Sequence, residues 1–245
     1  HFKVTLEQLE AARTDKTKVF LLNSPSNPTG MIYTKEELLA IGNWALEHDI
    51  LILSDDIYGR LVYNGNTFVP ISTLSEALRQ QTMVINGVAK TYSMTGWRVG
   101  FAVGNPEIIA GMSKILSQTT SNLTTVAQYA AIEALTGSQD PVEEMRQAFE
   151  KRLNIIEPLI NAIPGFKLVK PQGAFYFFPN VKEAMGMKGF DDVTDFTNDI
   201  LEKAEVALVT GAGFGAPYSL RMSYATDLAT LEEAIKRLNH YMSEK

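Results

Sequence analysis

The sequence contains no cysteine and only three histidines, His1, His48 and His240, in 245 residues. No disulfide framework and no thiolate metal site can be built from it. The histidines are far apart and lie outside every motif below, so each is read as a solvated surface residue and no metal site is expected. Long apolar runs are missing too; none reaches the roughly 20 residues that a membrane-spanning helix needs. There is no excess of positive charge: 22 Lys and Arg stand against 28 Asp and Glu, a net charge of −6. That balance argues against a nucleic-acid surface or an anionic membrane as partner. Internal repeats and low-complexity segments are absent. So is an initiator methionine: the chain opens His1-Phe2-Lys3-Val4, shows no signal-peptide pattern, and reads as the interior of a longer protein.

What is present suits a soluble globular protein, with 45% hydrophobic and 20% charged residues. The length allows one large domain or two modest ones. Thr5-Leu6-Glu7-Gln8 and Thr34-Lys35-Glu36-Glu37 fit capping boxes and predict helix starts. Val19 to Asn23, Ile50 to Ser54, Met83 to Asn86 and Val99 to Val103 are apolar runs of strand length. The first three are separated by helical segments, which suits strands buried in a largely parallel sheet. Asn105-Pro106-Glu107 predicts a helix to about Ser117. Leu123 to Thr136 reads as a helix, and Pro141 to about Ala162 as a long one that could link two bodies. Beyond Pro164-Gly165, Phe166 to Val169, Phe175 to Phe178, Val206 to Val209 and Leu220 to Tyr224 are strand-like. Val193 to Ala204 and Leu228 to Ser243 are helical, the last with Leu231, Ile235, Leu238 and Met242 on one face. The expected fold class is α/β: a three-layer, mostly parallel sheet over residues 1–150 and a smaller α/β or α+β domain over 151–245.

Three polar clusters follow the first three strands: Asn23 to Gly30, Ser54 to Tyr58, and the segment around Lys90. Loops at the carboxyl ends of strands in an open α/β sheet are where ligands bind. Lys90 stands among small and hydroxyl residues; lysine forms Schiff bases with carbonyl compounds and loses its proton readily when desolvated. Arg98, eight residues on, is of the type that holds phosphate through two parallel hydrogen bonds. Together they suggest an aldehyde cofactor that carries a phosphate. Asp55 ends an apolar strand, where a carboxylate needs a cation or several hydrogen bonds; a helix cap or a structural ion pair satisfies this as well as a ring nitrogen does. Tyr58 is either a core tyrosine or a donor to a ring oxygen. Asn27-Pro28-Thr29-Gly30 alone is a turn. Thr210 to Gly215 is glycine-rich but lacks the following helix of a dinucleotide fingerprint, and reads as a tight loop. Arg221, inside an apolar run, lies at a sheet edge or clamps a carboxylate.

Taken together, Asn27-Pro28-Thr29-Gly30, Ser54-Asp55-Asp56-Ile57-Tyr58, Lys90 through Gly100, Gly173-Ala174-Phe175-Tyr176 and Arg221-Met222-Ser223-Tyr224-Ala225 resemble the class I/II aminotransferases. These are pyridoxal-phosphate enzymes of fold type I, aspartate aminotransferase group. The motifs occur in the family's order and cover nearly the whole chain. The resemblance implies that Lys90 is the catalytic, Schiff-base lysine, that Asp55 partners the pyridine nitrogen of pyridoxal 5'-phosphate, that Asn27 and Tyr58 bond its phenolic oxygen and that Arg98 holds its phosphate. It implies that Arg221, with Asn27, binds the substrate. The implied reaction moves an amino group between an amino acid, aspartate or glutamate, and a 2-oxo acid, in a cytoplasmic homodimer. A β-elimination lyase acting on sulfur amino acids would use the same Lys90 and Asp55, and an effector domain of a transcription regulator would share the fold. Two positions depart from the family. Gly87 stands where a phosphate-binding serine is usual, and 117–122 holds no arginine to read a distal carboxylate. The family also carries a long segment before the point matching His1, so the expectation is a C-terminal fragment that binds cofactor weakly and turns over poorly.

Overall fold

A computed structural model describes residues 2–244 of the chain. The chain divides into two compact units. The first takes residues 2–26 and 31–146; the second takes residues 27–30 together with those from Gln147 onward.

In the first unit, both capping boxes close as the sequence predicts. The N–H of Gln8 donates to Thr5 Oγ1 and that of Thr5 to Gln8 Oε1, which starts α1 (Leu6–Ala12). Thr34 and Glu37 do the same for α2 (Lys35–Glu47). Four strands lie side by side in chain order: β1 (Val19–Asn23), β2 (Leu51–Asp55), β3 (Thr82–Gly87) and β4 (Gly100–Val103). The first three are parallel, joined through α2 and α3 (Glu76–Gln80). The fourth is antiparallel to β3, since a turn rather than a crossover helix joins them. Leu22 and Ile52 pack against Leu38, Ile41 and Ala45 of α2 and Leu78 of α3. The i, i+3, i+7 spacing of the α2 residues puts them on one stripe facing the sheet. On the opposite face of edge strand β1, Val19 and Leu21 are 50% and 63% exposed. After β4 come α4 (Pro106–Thr119), capped by Asn105, and α5 (Thr125–Thr136). Ala127 and Ala131 of α5 pack on Val88 and Val99, which bracket the Lys90 turn. No described helix is long and apolar enough to cross a membrane.

Helix α6 (Asp140–Asn161) runs through the division between the units. The second unit holds β5 (Tyr176–Phe177), α7 (Lys182–Lys188), α8 (Val193–Ala204), β6 (Val209–Thr210), β7 (Leu220–Ser223) and α9 (Leu228–Ser243). Its strands run β5-β7-β6, all antiparallel. The apolar face of α9 is buried as its spacing predicts, at Leu231, Ile235, Leu238 and Met242.

Three expectations change. Val206 to Val209 is strand only at its last residue, where β6 begins. Phe166 to Val169 is not a strand: it contributes a single antiparallel bridge, Lys167 to Asn180. The run has apolar character but lacks a partner strand long enough to extend that bridge. His48 is partly buried rather than fully solvated. Its ring meets Trp44 edge-on with centroids 5.6 Å apart, and its Nε2 lies 3.2 Å from Glu10 Oε2.

Candidate active site

The candidate site is built first from the ends of the parallel strands. Strand register sets Asn23 opposite Asp55 and Asp55 opposite Ile85, so β1 and β2 finish at one level and β3 runs two residues further, to Gly87. Asp55 is the last residue of β2 and is half-buried. Its Oδ1 accepts the N–H of Ile57 at 3.2 Å, and its backbone carbonyl accepts Asn23 Nδ2 at 3.1 Å. The chain then turns through bonds from Gly59 N–H to the Asp56 carbonyl and from Leu61 N–H to that of Tyr58. This turn buries Tyr58. Lys90 sits in the turn that follows β3, half-buried, with Nζ 5.9 Å from the centre of the Tyr58 ring. That is within cation–π range. Asp55, Tyr58 and Lys90 thus come from two neighbouring strand ends of one unit.

Arg98 closes the turn that begins at Lys90. Its backbone is left-handed, at φ +56, a conformation uncommon outside glycine. Its Nη1 donates to the Thr95 carbonyl at 3.0 Å. The side chain is exposed and lines an open cleft of about 530 Å³ with Trp97, Asn122 and Thr124. Gly87, where the family pattern has serine, is buried at the end of β3. A Cβ there would lie 2.7 Å from the Val99 carbonyl and 3.1 Å from Gly100 Cα. Backbone contacts that close cannot yield without moving β4, so the missing hydroxyl belongs to the way these strands pack.

Asp56 is a feature that sequence reading left without a role. Strand alternation turns it to the face opposite Asp55, where Ser54 Oγ donates to its Oδ1 at 2.6 Å. Burial pushes its carboxyl from 3.8 up to about 6; the Ser54 hydrogen bond opposes the shift and the Asp55 charge adds to it. Because the folded value exceeds the unfolded one, the native state holds an extra proton between about pH 4 and 6. The stability linked to that proton is full below pH 4 and is lost as pH rises through 6. Urea unfolding of the wild type should therefore lose about 1–3 kcal/mol through this group between pH 4 and 7. Asp56→Asn should flatten that part of the slope; an unchanged slope in the variant would contradict the assignment.

The second unit holds the other two predicted residues. Arg221 lies on β7, the middle strand, so the sheet-edge reading is overturned. Its Nη1 donates to Asn27 Oδ1 at 3.0 Å. Its guanidinium lies 4.7 Å from the centre of the Tyr176 ring and 5.1 Å from that of Phe214. Two aromatic faces and one side-chain amide hold a planar cation in a fixed direction. The glycine-rich run supplies one of those faces: residues Gly211–Phe214 form a single 3-10 turn that carries Phe214. Asn27 is placed by Gly30, whose carbonyl accepts the N–H groups of Gln172 and Gly173. Gly30 has φ +69, and a Cβ there would stand 2.7 Å from the Gly173 carbonyl oxygen, so only glycine fits. The segment is thus a locked turn within the second unit.

A half-buried amine beside a phenol ring, with a strand-end carboxylate nearby in the fold, can condense with a carbonyl and move protons. A guanidinium held between two aromatic rings and a side-chain amide can receive a carboxylate. The family model for aminotransferase class I and II matches residues 1–238, and the chain belongs to that family. It is 73% identical over 244 residues to an asparagine–oxo-acid transaminase of Streptococcus mutans, covering all of this chain and 62% of that protein. To an aspartate aminotransferase of Bacillus sp. (strain YM-2) it is 56% identical, covering 99% of this chain and 62% of the relative. Among solved structures, the aspartate aminotransferase of Rhizobium meliloti superposes with a TM-score of 0.93 at 39% identity, over 98% of this chain and 62% of that one. The α/β fold is therefore that of the aspartate aminotransferases, and the chain spans about 62% of the length of these relatives.

Proposed function

We propose that the chain carries the catalytic lysine and the substrate arginine of a pyridoxal-phosphate-dependent transaminase. In this reading the first unit is the C-terminal part of the large cofactor domain and the second is the small domain. The observation that carries the reading is the placing of Asp55, Tyr58 and Lys90 at adjacent strand ends, with Lys90 Nζ 5.9 Å from the Tyr58 ring.

The residues fit the cofactor by the chemistry of the donor set: an anion for a protonated ring nitrogen, a phenol for a ring oxygen, an amine for an aldehyde and a guanidinium for a phosphate. Pyridoxal phosphate, when bound, supplies an aldehyde that condenses with amines and a ring that accepts electron density. Asp55 favours the protonated ring nitrogen by charge, each pKa unit being about 1.4 kcal/mol. Tyr58 and Asn27 donate to the ring oxygen, and Arg98 holds the phosphate. Lys90 takes the substrate's α-proton as general base and returns it as general acid. Arg221 binds the α-carboxylate and so orients the Cα–H bond.

The proposed substrates are aspartate, glutamate or asparagine as donor and a 2-oxo acid as acceptor. Asparagine enters because the 73% identical relative is named for it. Residues 117–122 offer no arginine for a second carboxylate, which suits a donor with an uncharged amide end. A cytoplasmic homodimer of full family length is the proposed setting. With pyridoxal phosphate and 2-oxoglutarate, the predicted product from asparagine or aspartate is glutamate. Pyruvate and ammonia released from cystathionine, with no added oxo acid, would instead identify a lyase.

A further inference from the structure

We propose that Asn23 is a positioning residue that aims the Asp55 carboxylate; this rests on the reading of Asp55 as partner of the ring nitrogen. The β1–β2 ladder ends at the Asn23–Asp55 pair. Beyond it, Pro25 has no N–H to continue the ladder. The Asn23 side chain supplies a donor at this point: Nδ2 reaches the Asp55 carbonyl at 3.1 Å. The N–H of the same peptide unit, that of Asp56, is held from the other side by the Ile85 carbonyl at 2.9 Å. A peptide plane bonded at both edges cannot rotate about the strand axis, so the Cα–Cβ direction of Asp55 is set. The carboxylate is then steadied by the Ile57 N–H. Asn23 therefore acts on the direction of Asp55, through backbone, and need not touch the cofactor.

Two measurements on the intact chain test this. The first compares binding of pyridoxal phosphate with that of its 1-deaza analogue, in which carbon replaces the ring nitrogen. The wild type should prefer pyridoxal phosphate. Asn23→Ala should shrink that preference about three- to tenfold, the worth of one hydrogen bond, with affinity for the analogue nearly unchanged. Equal weakening for both ligands, or an intact preference, overturns the role of Asn23. A wild type without any preference, or an Asp55→Asn variant that keeps it, overturns the ring-nitrogen reading, and the Asn23 role falls with it. The second measurement is amide exchange without ligand. Asn23→Ala should raise exchange at Asp56 and Ile57 about three- to tenfold, while the ladder amides inside β2 and β3 stay protected. Unchanged protection at Asp56 and Ile57 also overturns the proposal.

Discussion

Lys90→Ala is expected to abolish the visible absorbance that develops when pyridoxal phosphate is added, and to lower amino transfer by at least about a thousandfold. The size of the effect follows from two tasks falling on one side chain. In the proposed mechanism Lys90 is both the amine that condenses with the cofactor aldehyde and the group that moves the α-proton. An alanine there removes both. Folding should be spared, because Lys90 lies in a turn and is only half-buried. The turn itself is held by backbone bonds, from Val88 N–H to the Val99 carbonyl and from Tyr92 N–H to that of Val88. Urea unfolding of the variant should therefore match the wild type within about 1 kcal/mol. A variant that unfolds at the same urea concentration yet keeps the absorbance and the activity would contradict the role of Lys90.

Arg221→Ala is expected to raise the half-saturating concentration of the amino acid about 30- to 1000-fold, with cofactor binding changed much less. The estimate is the cost of truncating one partner of a desolvated, charge-assisted pair, about 2–4 kcal/mol. The geometry favours the upper part of this range. Tyr176 and Phe214 pack against the guanidinium, and Asn27 Oδ1 takes one of its N–H groups, so a cation that binds the carboxylate here has little ordering left to do. Arg221→Lys should recover little, because an ammonium cannot present two parallel donors or stack on the rings. Titrating the cofactor absorbance with amino acid measures this directly. Equal saturation in wild type and Arg221→Ala would assign the carboxylate to another residue.

Residue pattern alone conveyed a good deal of this fold. The two capping boxes mark α1 and α2, and Val193 to Ala204 and Leu228 to Ser243 match α8 and α9 to the residue. Strand positions in the first unit are legible as unbroken apolar runs, although β1 and β4 leave apolar residues exposed. Strand direction is not: Val99 to Val103 looks like its neighbours but pairs antiparallel. Arg221 shows why sheet order escapes a local reading. A cation inside a short apolar run suggests an edge, yet β5 and β6 flank it, and its partners Asn27, Tyr176 and Phe214 come from three separate stretches. Asn23 and Asp56 stand inside quoted motifs, but their roles depend on a rung of the ladder and on the face a side chain takes. The signal that could have found Asp56 is its parity with Ser54 and Ile52 along β2, which turns it toward the buried face.

The central claim is that Lys90, and no other lysine, is the amine that captures the cofactor. Adding pyridoxal phosphate, reducing with borohydride and mapping the labelled peptides by mass tests it most directly. The predicted result is one label, on the peptide containing Lys90, lost in Lys90→Ala. Label spread over surface lysines such as Lys16 and Lys151, with the Lys90 peptide unmodified, would contradict it.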